Sequence, residues 1–393
     1  MNLVLADFSY SRDHLLPLTY MRPVAAIRVG IGSIADKWSW RTGTQVSFLT
    51  SDHLKQKFPA VLTADNHFID GSILPDDSLI KAIRQLGPDE ALVDAHGIVA
   101  ARSGSADRAV WHQLKQIRCA DVVRVDRLWK IHQLNGGEII RDFELLTRDQ
   151  KSCAIEDPHT IIYNPSMVFA EEGVKIRAAV INADTGPVYL GPNSEIQEGS
   201  VIRGPFALGE GSVVAMGTRI RGNVTIGPFC KIGGEINQSV FFGNSNKGHD
   251  GYLGNAVVAE YCNLGAGTTA SNLKNNFSEA RLWSYPAKKF EPVGSLFCGP
   301  VLADCSRTAI GTLLNTATSA GVGVNLHGAG FPRTFIPSFA SGGAAGFITQ
   351  PVEDVIDSVA AQLALRGSSF QEADKNILRD VYSQTAEFRT WEH

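Results

Sequence analysis

From Leu190 onward the apolar positions count in sixes: Leu190, Ile196, Ile202, Leu208, Val214, Ile220, Ile226 and Ile232, eight consecutive hits. Roughly a third of residues are aliphatic in ordinary composition, so chance is a poor source of such a run. An α-helix cannot hold it, because at about 100° per residue successive sixes walk about 240° around the axis. A β-helix can. Each hexad supplies a short strand and a turn, and its aliphatic residue points into a narrow prism. Glycine and asparagine in LGPNSE, IRGPFA and IRGNVT suit the corners, since both tolerate positive φ. The hexad form is the left-handed parallel β-helix, an exception to right-handed crossovers. The count breaks around 233–252, in EINQSVFFGNSNKGHDGY, resumes at Val258 and Leu264, loosens, and returns weakly from Ile310. Such a break predicts a loop thrown from one face, a usual place for function.

The flanking regions follow other periods. Over 1–165, NLVLAD, QVSFLT and ALVDAHGIVAA read as strands, and SLIKAIRQLG and DRAVWHQLKQI show helical spacing. That alternation predicts an α/β domain with a partly parallel sheet. Residues 166–350 form the β-helix. In the tail, 351–393, VEDVIDSVAAQLALR and FQEADKNILRDVYSQTAEF carry apolar residues at i, i+3, i+4 spacing, so both are expected to be amphipathic helices. An open prism end needs covering, and capping it is the expected task of this tail.

Composition narrows the functional classes. With a net charge of −4 over 393 residues, nothing points to nucleic acid or a membrane surface as partner. No run of 18 apolar residues occurs, so no membrane-spanning helix is expected. The start, MNLVLADFSYSRD, has neither a basic segment nor a long apolar one, and reads as a buried strand instead of a signal peptide. The six cysteines, at 119, 153, 230, 262, 298 and 305, include no CxxC pair, which fits reduced thiols and a cytoplasmic setting.

The candidate chemistry gathers in NKGHDGYLGNAVVAEYCNLGAGTTASNLKNNF. His249 has an ordinary pKa near neutrality and suits general-base work on an amine or hydroxyl. Lys247 and Lys274 can neutralise a phosphate, and Tyr252 can hydrogen-bond one. The amides of Asn263 and Asn272 both donate and accept, which fits sugar hydroxyls or a carbonyl. LGAGT presents backbone N–H groups through small residues, a place to hold a thioester carbonyl as charge develops on it. Two other roles are open to His249: a zinc ligand or a structural histidine. A three-histidine zinc site needs neighbours, and the next histidine, His327, lies far along the chain.

The motif K-x-H-x-x-YLG, then N-[LI]-GAGT, then a further Asn, stands here as Lys247, His249, Tyr252, Asn263 with LGAGT, and Asn272. In this the C-terminal half resembles the acetyltransferase domain of the bifunctional UDP-N-acetylglucosamine pyrophosphorylase/glucosamine-1-phosphate N-acetyltransferases. LPLTYMRPVAAIRVG, NGGEIIRDFELL, SNLKNNFSEARLW, AIGTLLNT and FPRTFIPSF extend the resemblance, over nearly the full length, to an alternative bacterial form of that family. The resemblance implies His249 as the base and Asn272 as the residue orienting amine or acetyl group. It places the Ala266 amide, with Gly267, at the acetyl-CoA carbonyl. Arg219, Lys247, Tyr252, Asn263 and Lys274 would surround the sugar phosphate, in a homotrimer with sites between subunits.

It also implies a Rossmann-like sugar nucleotidyltransferase domain at 1–165, using UTP or another nucleoside triphosphate and Mg2+. Such domains open with a glycine-rich G-x-G-T-R loop and a P-K-x-L motif, in which glycines let the backbone approach the triphosphate. The corresponding LADFSYSRDHLLPLTYMRPVAAI has no glycine, and Val24 stands at the lysine position. Arg12, Arg22, Arg28 and Lys37 remain as candidate phosphate ligands, and Asp142 as a candidate magnesium ligand. Two alternatives stand beside the bifunctional reading: a nucleotidyltransferase of other nucleotide or sugar specificity, and a non-catalytic assembly or regulatory subunit.

Overall fold

The computed structural model describes residues 1–392, the Ser9 side chain apart, and the chain forms two units: 1–27 with 32–127, and 28–31 with 128 onward. The first is an α/β unit of six strands: β1 Asn2–Ala6, β2 Val46–Leu49, β3 Asn66–Asp70, β4 Glu90–Asp94, β5 Gly97–Ser103 and β6 Lys115–Arg118. Their order is β2-β1-β3-β5-β4-β6, with β1 parallel to both neighbours and β5 antiparallel to both of its own. ALVDAHGIVAA, read above as strand, folds as the β4–β5 hairpin, with Asp94 opposite Gly97. DRAVWHQLKQI is helical only over Arg108–Trp111. Its second half is the edge strand β6, held by parallel pairing to β4.

In the second unit the sixes become a left-handed β-helix. All eight hexad residues lie in one apolar core, each no more than 2% exposed. Successive coils stack them in register: Leu190 on Leu208 on Ile226, Ile196 on Val214 on Ile232, Ile202 on Ile220. Each such side chain contributes roughly 1.5–3 kcal/mol of burial free energy, so the ladder dominates this unit's stability. Face A runs from strand Ile161–Tyr163 to Tyr252–Gly254, face B from Val168–Ala170 to Phe335–Ile336, and face C from Lys175–Ile176 to Gly346–Thr349.

The break at 233–252 is not a thrown loop. Strands Glu235–Asn237, Val240–Phe241 and Asn246–Lys247 continue the three faces in order. The corners are shorter: Ile202 to Ile220 spans 18 residues, Ile232 to Lys247 only 15. The sequence count slips while the stack does not. The true excursion comes later, where Val258 pairs with Leu302 and the intervening chain carries an antiparallel hairpin, Arg281–Ser284 with Lys289–Pro292.

Helix Leu128–Thr147 belongs to this second unit and packs on face B, across strands from Phe206–Leu208 to Val257–Val258. Its Asn135 accepts the Gly30 amide at 2.7 Å and the Thr225 hydroxyl at 3.0 Å, and donates to the Asn223 carbonyl at 3.0 Å. At Gly136 a Cβ would stand 2.0 Å from the Asn223 side chain, so only glycine permits this approach. The tail forms helices Val352–Ala364 and Glu372–Gln384. The first lies along the flank of the coils: Gln362 donates to the Asn244 carbonyl at 2.9 Å and accepts from Arg307 at 3.2 Å. The first tail helix is therefore a side wall, while at the end of the tail Trp391 packs on the prism core beside Phe347 of the last strand, as the end-cap reading expects. Face A stays open, with Ile161, Tyr163 and Val201 each about half exposed.

All six cysteines are free thiols. No helix among the described residues is long and apolar enough to cross a membrane.

Candidate active site on the β-helix

The corner 248–251 joins strand Asn246–Lys247 of face C to strand Tyr252–Gly254 of face A. Two backbone ties fix it. The Lys247 ammonium donates to the His249 carbonyl at 2.8 Å and to the Gly233 carbonyl at 3.2 Å, and the Gly267 amide donates to the Asp250 carbonyl at 3.0 Å. Lys247 itself sits in the inward slot that Ile232 fills one coil earlier, and is 1% exposed. Burial draws its ammonium down to about 8, against an opposing pull from Asp250. Its expected place beside a substrate phosphate is thus corrected: the stem fills the core and the head holds the corner. Gly267 likewise spends its amide on Asp250 and takes the positive φ of a turn, +72°.

His249 projects from this corner, exposed, and its ring has no hydrogen-bond partner among the described residues. It lines a cleft of 720 Å3 together with Asn263, Gly265 and Ala266 from the next coil, Ile310 beyond them, and Arg366 after the tail helix. The Ala266 amide donates to no group among the described residues, so it is available to a developing oxyanion. Lys231, Asn246 and Asn263 stand in register on the outward side of face C, a polar ladder leading along the cleft. Arg366 bonds the Phe229 carbonyl and, at 2.6 Å, the Asn246 side chain. Zinc at His249 finds no support in this geometry: no group of three His, Cys, Asp or Glu able to hold a metal stands among the described residues.

A second group lies on face A. Arg219, Glu235 and Tyr252 are in register on successive coils, and the Asn272 amide donates to the Tyr252 hydroxyl at 3.0 Å and to Asn255 Oδ1 at 2.7 Å. Arg219 is 3.8 Å from Glu235, beside Arg203 and Arg221 in a groove of 550 Å3. Lys274 turns away, its ammonium on the Glu279 carbonyl at 2.7 Å. The predicted residues thus divide between a cleft set (His249, Asn263, Ala266) and a face A set (Arg219, Tyr252, Asn272), joined by the 248–251 corner.

Sequence reasoning missed Lys231, Asn246, Ile310 and Arg366. Lys231 had a visible signal, being the polar residue just before the inward slot of Ile232; Asn246 precedes Lys247, whose slot lies past the shortened corners and does not show in the spacing. Arg366 had none, because only tertiary packing brings it here.

Of the cations named for the N-terminal domain, Arg12, Arg22 and Lys37 lie in the first unit. Arg22 and Lys37 are buried, and Arg12 lies 3.6 Å from Asp13. Arg28 belongs to the second unit, where its guanidinium bonds the Phe242 carbonyl at 2.9 Å. Asp142 is also there, accepting the Ile31 amide at 2.8 Å through one carboxylate oxygen. Val24 is fully buried, and its amide is tied at 2.8 Å to Asp7. That carboxylate also takes the Thr50 hydroxyl at 2.5 Å, and burial raises it above the usual carboxylate range.

Among solved structures, the chain is similar to the polySia-specific acetyltransferase NeuO, at 11% identity over 53% of this chain and 94% of that one, with a TM-score of 0.28. It is similar to an Arabidopsis UDP-N-acetylglucosamine acyltransferase at 15% identity over 60% and 82%, TM-score 0.32. A hexapeptide transferase family protein from Anaplasma phagocytophilum follows at 14% over 57% and 92%, TM-score 0.17. No curated protein matches the sequence. The N-terminal stretch, residues 3–151, matches the model of a family described as sugar nucleotidyl transferase.

Proposed function

We propose that the β-helix transfers the acetyl group of acetyl-CoA to the amine of glucosamine-1-phosphate. The observation that carries this reading is the cleft itself: an unpartnered imidazole and an unpartnered backbone amide, His249 and Ala266, on corners of adjacent coils. The amine attacks the thioester carbonyl carbon while His249 takes its proton. The tetrahedral oxyanion is met by the Ala266 N–H, and collapse expels the thiolate, which leaves as CoA thiol with the proton from His249. A base so positioned contributes about 10²–10⁴ in rate. Arg219 and Tyr252 supply the sugar-phosphate side from face A. That face is open and partly apolar, which supports a homotrimer in which a neighbouring copy closes the site.

Incubation with glucosamine-1-phosphate and acetyl-CoA tests the reading. Thiol release is expected, reduced at least tenfold in His249→Ala; no release by the unmodified protein sinks it.

For the first unit, the family match supports sugar nucleotidyl transfer in general, and uridylyl transfer from UTP to N-acetylglucosamine-1-phosphate is the form of it proposed here. A second reading, a domain kept for assembly or regulation, is favoured by one observation: the segment that should cradle the triphosphate is core, with Val24 buried and its amide held by Asp7. Asp142, the candidate magnesium ligand, spends one carboxylate oxygen on the Ile31 amide and would offer the ion its remaining lone pairs. Pyrophosphate release from UTP, N-acetylglucosamine-1-phosphate and magnesium separates the two readings.

A further inference from the structure

Away from the cleft, the hairpin of the excursion, strand Phe335–Ile336 and the end of the tail meet around a cavity of 320 Å3. Its lining includes Trp283, Lys288, Arg333, Phe335, Phe388 and Trp391, none of which has a part in acyl transfer. The rings form an ordered cluster. Trp283 stacks on Phe335 with centroids 4.1 Å apart and planes 13° apart, and Phe388 meets Phe335 edge-on at 6.0 Å. The Trp283 indole N–H is buried with no acceptor among the described residues, an uncommon and costly state.

The rim is cationic. Lys288 pairs with Glu387 and lies 5.8 Å over the Phe388 ring. Arg333 is exposed, and makes no hydrogen bond or ion pair among the described residues. Partly exposed rings for a flat heterocycle and a free guanidinium for a phosphate describe one class of ligand. The volume lies at the small end of ligand pockets, which suits a mononucleotide better than an extended cofactor.

We propose that this cavity is a nucleotide-binding site, with the base against the Trp283–Phe335 rings and the phosphate on Arg333. The site lies wholly in the second unit, apart from any nucleotide substrate of the first. It rests on the geometry of this cavity and not on the acetyl-transfer reading.

Trp283 and Trp391 both line the cavity, so a bound base is expected to quench tryptophan fluorescence. Titration of the full chain with UMP is expected to give a saturable quench and a raised Tm. Uridine, lacking the phosphate, is expected to bind at least tenfold more weakly, and inorganic phosphate to give no quench. In Arg333→Glu, whose exposed side chain leaves the fold undisturbed, UMP affinity is expected to fall at least tenfold. Arg333→Gln, the milder change, is expected to fall in the same direction. No saturable change with UMP overturns the proposal. So does a change that both Arg333 variants leave intact, since the nucleotide is then bound elsewhere.

Discussion

The Lys247 ammonium holds the carbonyl of His249, two residues along, at 2.8 Å. A lysine in an aliphatic slot of the prism thereby sets the corner from which the candidate base projects. In Lys247→Met the stem is kept and the head lost, leaving the carbonyls of Gly233 and His249 without this donor. Acetyl transfer is expected to lose about tenfold or more in kcat with a smaller change in KM, as steady-state kinetics will show.

The same residue gives a pH signature. Its folded pKa, about 8, lies below the ordinary 10.5, so between those values the unfolded chain binds the proton and the folded chain does not. Stability therefore rises with pH across that window, by about 3 kcal/mol at most at about 1.4 kcal/mol per pKa unit. Urea unfolding from pH 7 to 10.5 should show wild type gaining on Lys247→Met. A constant difference between the two would count against a buried, depressed lysine.

Asn272 donates to both Tyr252 and Asn255, and a carboxylate can do neither. Asn272→Asp is expected to cost more than tenfold in kcat/KM for the sugar phosphate, and Tyr252→Phe less. Gly254→Ala tests the same cluster sterically. Its Cβ would fall 2.2 Å from the Tyr252 hydroxyl and 2.9 Å from the Asn272 amide, so KM for the sugar phosphate should rise while the far-UV spectrum holds.

Ile161 and Val201 are about half exposed on face A, where the proposed homotrimer would bury them. The double variant Ile161→Asp, Val201→Asp is expected to shift a trimer to monomer by light scattering. Acetyl transfer should fall with it, because the face also carries Arg219 and Tyr252.

Arg366 contributes a guanidinium to the cleft wall from outside the coils. Arg366→Ala is expected to raise KM for acetyl-CoA about tenfold with kcat little changed, since a charge far from the reacting carbon acts on binding.

How much of this was legible beforehand depends on what carries each feature. The prism was legible because a repeated inward slot is a one-dimensional pattern: Leu190 through Ile232 announce it without reference to anything distant. Lys247 was misplaced for the converse reason. Once the corners shorten, spacing no longer says which residue points inward, and a lysine beside a histidine looks like surface chemistry. His249, Asn263 and Ala266 could be named from one stretch because adjacent coils bring nearby sequence together. Gln362 and Arg366 reach the same cleft across more than a hundred residues, and local pattern holds no trace of that. ALVDAHGIVAA is strand on both sides as read, but the turn between Asp94 and Gly97 escaped notice because two short buried strands in sequence look like one apolar run.

The 15-residue step from Ile232 to Lys247 has a consequence for how such a protein can change. In a solenoid each coil packs chiefly on its neighbours, so whole coils of 18 residues can be gained or lost ahead of Arg203, before the strands that carry Arg219 and seat helix Leu128–Thr147, with the chemistry carried along unaltered. Removing three residues within a coil is a different kind of event. It displaces the hexad count of everything downstream while the shortened corners keep the strands in register, so a polar residue such as Lys247 can come to stand in a core slot. Length in this architecture is free to drift by whole coils, whereas a shortened corner is where a new site can be made or destroyed in a single step.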